Sequence, residues 1–174
     1  YSGGQRTTKE RQMKLPGAAR LHCRIVKNDT ELAAALAVRR RVFVEEQAID
    51  ERLEYDGLDG EALHVIAVRG GEVVGTARLR FPASGVARVE RMAVLKPCRR
   101  QGVGRALLEF LHRQARQRGA VRAVLHAQCA ASGFYRACGY TERGPVFEEA
   151  GIPHVEMYRR LQGDRALRRR CPRG

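Results

Sequence analysis

The chain has 174 residues, enough for one hydrophobic core but not comfortably for two. Its 44% hydrophobic content is that of an ordinary globular protein; no apolar run approaches the ~20 residues that span a bilayer, and no charged-then-apolar leader pattern opens the sequence. A net charge of +14 raises nucleic-acid binding, but eight of those charges sit at the two ends, where five Lys/Arg face one acid in residues 1–20 and five Arg face Asp164 in residues 163–174.

Residues 1–20 lack apolar periodicity and read as a basic tail, as do residues 163–174. Such tails can touch nucleic acid or an acidic surface, but they do not define the chemistry of the single domain expected over residues 21–162. That domain opens with a strand candidate at 21–26. Asn28 and Glu31 are then spaced as in a capping box, and Leu32, Ala35, Leu36, Arg39, Val42 and Phe43 recur at helical spacing. An irregular acidic segment spans residues 45–61. Three strands are expected at 62–69, 72–81 and 86–95, turned at Gly70-Gly71 and at residues 82–85. Residues 102–118 form an amphipathic helix, with Val103, Leu107, Phe110, Leu111 and Ala115 on one face and Gly119 at its end. A strand at 121–127, a short helix at 130–138 stopped by Gly139, and strands near 140–143 and 155–161 complete the chain. The order predicts an α/β fold of the α+β mixed-sheet kind, a mixed central sheet flanked by helices.

The five cysteines are scattered, odd in number and without a C-x-x-C pair. They fit reduced thiols in a cytoplasmic protein better than a disulfide framework or a zinc site, so no metal is expected. The plain reading of Cys129 is a tolerated thiol, set against a minor one as an acyl-carrying nucleophile.

Function concentrates in the turn Arg99-Arg100-Gln101-Gly102-Val103-Gly104, which leads from a strand into the 102–118 helix. The first turn of a helix has unpaired N–H groups and a positive dipole end, which suit an anion. Gly102 and Gly104 lack Cβ atoms and let a phosphate approach the amides, while Arg99, Arg100 and Arg105 add charge. The sequence lacks G-x-x-x-x-G-K-[ST], and it has no G-x-G-x-x-G after the first strand, so neither a nucleotide P-loop nor a dinucleotide fold is expected. A pyrophosphate satisfies all the features together; the plain alternative is a Gly-containing helix start with surface arginines.

Three linked pieces resemble the GNAT (GCN5-related) N-acetyltransferases over roughly residues 21–161. Val89-Glu90-Arg91-Met92-Ala93-Val94 resembles the family's splayed fourth strand. Arg99 to Gly104 matches its [QR]-x-x-G-x-[GA] pyrophosphate loop, and Gln128-x-x-Ala131-x-x-Phe134-Tyr135-x-x-x-Gly139-Tyr140 matches its N-x-x-A-x-x-[FL]-Y-x-x-x-G-[FY] segment. The run Glu149 to Met157 further resembles small bacterial members, many without assigned substrates. Gln128 replaces the usual Asn, and Cys98 stands where an aromatic is common.

The resemblance implies acetyl-CoA as co-substrate, and an amine or lysine-bearing acceptor. Backbone groups of Met92, Ala93 and Val94 are then expected to hold the pantetheine amides, one N–H stabilising the oxyanion. The pyrophosphate is expected on the amides of Arg100, Gln101, Gly102, Val103, Gly104 and Arg105, with Gln128 near the pantetheine arm. Tyr135 matches the general acid; an ordinary phenol is protonated at pH 7, as an acid must be. Glu90 is the leading base candidate, with His154 and His126 competing for the role; the plain readings are a packing tyrosine, an ion-paired carboxylate and structural histidines. Homodimers are common in the family.

Residues 45–61 carry eight acids against Arg52, and in this fold that region lines the acceptor side. Glu45 and Glu46 are therefore expected to attract a cationic amine. Two other readings stand beside acetyl transfer: a silent acyl-CoA binder of the same fold, and a basic nucleic-acid-binding protein. Aromatics at 6% and the lack of a stacking motif confine the latter to the tails.

Overall fold

The computed structural model describes residues 19–161, so the expected basic tails, apart from residues 19 and 20, lie outside the described residues, as does Cys171. The first strand, β1 (His22–Ile25), leads to α1 (Asp29–Arg39), which continues as a π-helical stretch over Arg40–Glu46. The Asn28 side chain accepts from the Glu31 N–H at 2.9 Å, as the spacing predicts. Glu31 reaches back to the N–H of Lys27, also at 2.9 Å, one residue earlier than a capping box requires. The acidic segment is not wholly irregular: it holds a short α2 (Glu51–Glu54) and a 3-10 turn over Asp59–Glu61.

Strands β2 (Leu63–Arg69), β3 (Glu72–Ala83) and β4 (Val86–Val94) form an antiparallel meander, and α3 (Val103–Gln117) crosses over to β5 (Arg122–Gln128). After α4 (Ser132–Ala137) the chain closes with β6 (Thr141–Glu149) and β7 (Ile152–Arg160). The seven strands lie in the order β1-β2-β3-β4-β5-β7-β6, and only β4 and β5 are parallel, as a helical crossover requires. β6 is twice as long as its sequence suggests. It runs through Gly144-Pro145 with a register shift between Arg143 and Phe147, and as an edge strand it tolerates a proline that donates no ladder bond.

The helices cover opposite faces of the sheet. On one face Val103, Leu107, Leu108, Leu111 and Ala115 of α3 pack on Val65, Ala77, Leu79, Val89, Leu125 and Met157. On the other, Ala35, Val38, Val42 and Phe43 of α1 and its extension meet Ile66, Val68, Ala93 and Leu95. Cys98 and Cys138 are buried, Cys23 and Cys129 half-buried. Among the described residues no helix is long and apolar enough to cross a membrane.

His112 sits within the α3 stripe, 3% exposed, with Nε2 at 2.8 Å from the Tyr140 hydroxyl. Burial pulls its pKa from 6.5 down to about 4, and the charges of Arg159 and Arg116 add to the effect. The unfolded chain therefore binds a proton between those values that the native state does not, so stability is full above pH 6.5 and falls as pH drops toward 4. Melting temperature is expected to fall from pH 7 to pH 5, with a slope on the order of 1 kcal/mol per pH unit at most. His112→Gln, which keeps a partner for Tyr140, is expected to flatten that dependence in thermal melts.

Candidate active site

The site begins with a break in the sheet. β4 and β5 pair only over Val86–Arg88 and Arg122–Val124. Beyond Arg88 the β5-side edge of β4 has no strand partner, so Met92, Ala93 and Val94 turn backbone groups toward an open wedge. A bulge bends β4 at the same place: the register with β3 shifts between Thr76 and Arg78, and Arg91 takes a φ of +50°. Such a conformation costs a non-glycine residue on the order of 1–3 kcal/mol and persists only where its surroundings enforce it. Here the Arg91 guanidinium donates to the carbonyls of Leu53 and Glu54 at 3.1 and 3.2 Å, and pairs with Asp56 at 3.1 Å and Glu54 at 2.9 Å.

At the wide end of the wedge the chain makes the turn into α3. Arg100 has φ +59° and Gly102 φ +80°, so left-handed residues alternate with ordinary ones and fold the amides toward one point. No side chain caps α3. A Cβ on Gly104 would stand 3.3 Å from the Phe134 ring, so α4 packs directly against the start of α3. The turn thus offers an anion chiefly backbone amides. The side chain of Arg99, expected to add charge at the anion, instead holds the turn, as does that of Gln101. Arg99 donates to the Val94 carbonyl at 2.9 Å and to Glu46 at 2.5 and 2.8 Å, and Gln101 donates to the Pro97 carbonyl at 2.8 Å and accepts from Arg69. Arg100 and Arg105 have no such partners among the described residues and remain to supply charge.

Tyr135 reaches the wedge from α4. Its hydroxyl lies 3.7 Å from Met92 Sδ on the splayed strand, and burial pushes its pKa up to about 12. Glu90, expected as a base, is bound to arginines instead: Arg78 and Arg80 donate to it at 3.0 and 2.8 Å, and Arg88 lies at 3.0 Å. Burial raises its pKa, but the Arg80 hydrogen bond and the charges of Arg78, Arg80 and Arg88 outweigh that and leave it lowered. A carboxylate held this way is a poor proton acceptor.

The acidic segment is likewise committed. Arg39 and Arg78, 1% and 0% exposed, draw in Glu54, Asp56 and Asp59; Arg78 meets Asp56 at 2.6 Å and Asp59 at 3.0 Å, while Arg39 pairs with Glu54 and with Asp59 at 2.7 Å. Hydrogen bonds from Arg78 hold the Asp56 carboxyl well below the usual range. Glu46 is clamped by Arg99, Glu45 and Glu51 pair with Arg40, and Asp50 with Arg52. The local charge that suggested attraction of a cation by Glu45 and Glu46 is met by arginines from α1, β3, β4 and the turn. Sequence reasoning missed this network, although Arg39 in an apolar helical stripe and Arg78 in an apolar strand were its signals.

On the α1 face of the sheet, Gln128 at the end of β5 donates to Gln47 at 2.8 Å, closing the wide end of the wedge from the other side. Gln47 had drawn no notice in the sequence. His154 is the register partner of Gln128, and paired residues of antiparallel strands share a face. His154 Nδ1 lies 2.8 Å from the Ile152 carbonyl, which only accepts, so Nε2 carries the lone pair of the neutral ring; Phe147 stacks on it. His126 is enclosed by Arg88, Glu149 and Phe147. Among the described residues no group of three or more His, Cys, Asp or Glu side chains is arranged to hold a metal.

The comparisons with known proteins agree with this geometry. A family model described as an acetyltransferase (GNAT) domain matches residues 25–161. The chain is 38% identical over 134 residues to the uncharacterised N-acetyltransferase YjcF of Bacillus subtilis (strain 168), covering 76% of this chain and 95% of that one. It is 35% identical over 139 residues to the uncharacterised protein YyaT of the same organism, covering 78% and 93%. The crystal structure of an acyl-CoA N-acyltransferase from Pseudomonas aeruginosa superposes with a TM-score of 0.70 at 31% identity, over 80% of this chain and 99% of that one.

The Arg91 anchor yields a two-variant test. Arg91→Ala loses the anchor and keeps a side chain at positive φ, so it is expected to lower the melting temperature and weaken CoA binding about tenfold, roughly 1.4 kcal/mol. Arg91→Gly relieves the backbone strain and is expected to recover much of the stability but not the affinity. Calorimetric titration of CoA into the three proteins checks this; wild-type affinity in Arg91→Gly would mean that the bulge holds itself.

Proposed function

The chain belongs to the GNAT acetyltransferase family, and we propose that it transfers an acetyl group from acetyl-CoA to a primary amine by direct attack in a ternary complex. The observation that carries the reading is the Tyr135 hydroxyl, aimed across the wedge at Met92 on the splayed strand. When bound, acetyl-CoA supplies the activated acyl group. The amides of residues 100–105 hold its diphosphate, and the free edge of Met92, Ala93 and Val94 binds its amide-bearing arm, one N–H meeting the charge that develops on the carbonyl oxygen. Gln128 is engaged by Gln47, so its contact with the arm is through the edge of the site rather than as a free side chain.

Tyr135 is the general acid. Its raised pKa keeps the phenol protonated throughout the working range, ready for the departing sulfur. The base role passes from Glu90 to His154, whose Nε2 lone pair lies on the face shared with Gln128 and Gln47. A primary amine of pKa about 10 must give up a proton before it attacks, directly or through a water. The acceptor, a small amine or a lysine side chain, enters on that face, and its charge preference is not set by Glu45 and Glu46. The implied compartment is the cytoplasm, where thiols stay reduced.

Tyr135→Phe is expected to lower kcat by about 10²-fold or more while leaving the KM for acetyl-CoA within about twofold. His154→Gln is expected to lower kcat/KM about tenfold or more, and Glu90→Gln to lower the melting temperature more than it lowers kcat/KM. An amine panel with a thiol-release readout on all four proteins checks this. CoA binding without turnover of any amine would instead favour a silent acyl-CoA-binding protein.

A further inference from the structure

The side of α3 turned away from the sheet carries charge of one dominant sign. Arg105, Glu109, Arg113 and Arg116 recur at steps of three and four and line one side of the helix. With Ala137, Cys138, Gly139 and Arg159 they wall a cavity of about 550 Å³ between α3 and the end of α4, within the range that takes a small ligand. His112 forms its floor against Tyr140. Arg159 is fixed there by donating to the Cys138 carbonyl at 2.5 Å, and the Arg113 guanidinium lies 5.3 Å over the Phe110 ring.

Four guanidiniums thus share one space with a single carboxylate. On the opposite face of the sheet Arg39, Arg78 and Arg91 each have carboxylates in contact. Here, among the described residues, Arg105, Arg113 and Arg116 have no carboxylate within salt-bridge distance. Like charges around a common cavity repel one another, and an anion placed between them reverses the sign of the interaction. Guanidinium forks match phosphate oxygens two at a time. The only ring in the lining is the buried His112, so no aromatic face is offered to a nucleobase, which disfavours single-stranded nucleic acid.

We propose that this groove is a second anion site that takes a small molecule bearing several adjacent phosphates. Resting on the reading that the turn holds acyl-CoA, the groove adjoins that turn at Arg105 and runs away from it, with Arg113 and Arg116 about 12–16 Å further along α3.

The test is calorimetric titration of inorganic tripolyphosphate into the full chain saturated with CoA, repeated on the double variant Arg113→Ala/Arg116→Ala. One equivalent is expected to bind with CoA still in place. In the double variant its affinity is expected to fall at least tenfold while the affinity for CoA, titrated separately, stays within twofold. Both positions are on an exposed helical side where alanine is a good helix former, so the fold is expected to hold. Should that variant melt early, Arg113→Lys/Arg116→Lys keeps the charge but loses the paired donors, and a several-fold loss is expected. Displacement of CoA by tripolyphosphate, equal affinity in wild type and variants, or no binding would each overturn the proposal. None of these outcomes bears on Tyr135, whose role is read by turnover alone.

Discussion

Two guanidiniums buried beneath α1 set the terms for the rest of the molecule. Arg39 and Arg78 are all but inaccessible to water, and a charge in such a place must be paired and hydrogen-bonded or the fold that buries it is lost. Removing one partner of such a pair costs about 3–5 kcal/mol, because the other is left stranded. The sheet supplies only Glu90. Asp56 and Asp59 must come from the chain between α1 and β2, and Glu54 comes with them, so the acidic segment is drawn onto the sheet instead of standing out in solvent. Once there, the same segment receives Arg91 and holds β4 in its bulge. The pairing that makes the interior tolerable is therefore also what bends the strand that opens the site.

The open edge of β4 gives the site a division of labour between its two sides. On the α3 side the turn presents chiefly backbone. Arg99 and Gln101 spend their side chains fastening the turn to Val94, Glu46, Pro97 and Arg69, which fixes the amides in place before any ligand arrives. On the α1 side the groups near the end of β5 are the amides of Gln47 and Gln128 and the His154 ring, which the Ile152 carbonyl holds. Tyr135 crosses from one side toward the other. This separation puts the helix start and the charges of Arg100 and Arg105 on one side of the wedge and the two glutamines on the other.

Much of the fold is legible in the sequence because it rests on local patterns. The stripe of α3, the Asn28 cap and the glycine-bearing turn depend on residues within a few positions of one another, and each lies where its spacing predicts. The ionic network depends on contacts across 15 to 37 residues, and nothing in the spacing of Glu54, Asp56 or Asp59 says which arginines they meet. Its two signals, Arg39 among the apolar positions of α1 and Arg78 in the run Val73 to Phe81, read as interruptions of a pattern until the partners are known. Glu90 illustrates the difference. Its position on the splayed strand is legible, but Arg78 and Arg80 reach it only because the β3–β4 hairpin folds them beside it, and that changes a candidate base into a pairing group.

The proton inventory of the site follows from the same distribution of charge. A group that is to donate must be kept protonated, and at Tyr135 burial does most of this, with the Cys138 thiol adding to it. A group that is to accept must be neutral or weakly held, which excludes a carboxylate whose charge three arginines stabilise. Environments that push two titratable groups in opposite directions identify the acid and the base more reliably than residue type does. On that criterion Tyr135 and Glu90 part company: burial holds a proton on the phenol, while the arginines hold the carboxylate without one. The carboxylate is retained because it neutralises Arg78, and a charge that the fold requires is not available for the chemistry.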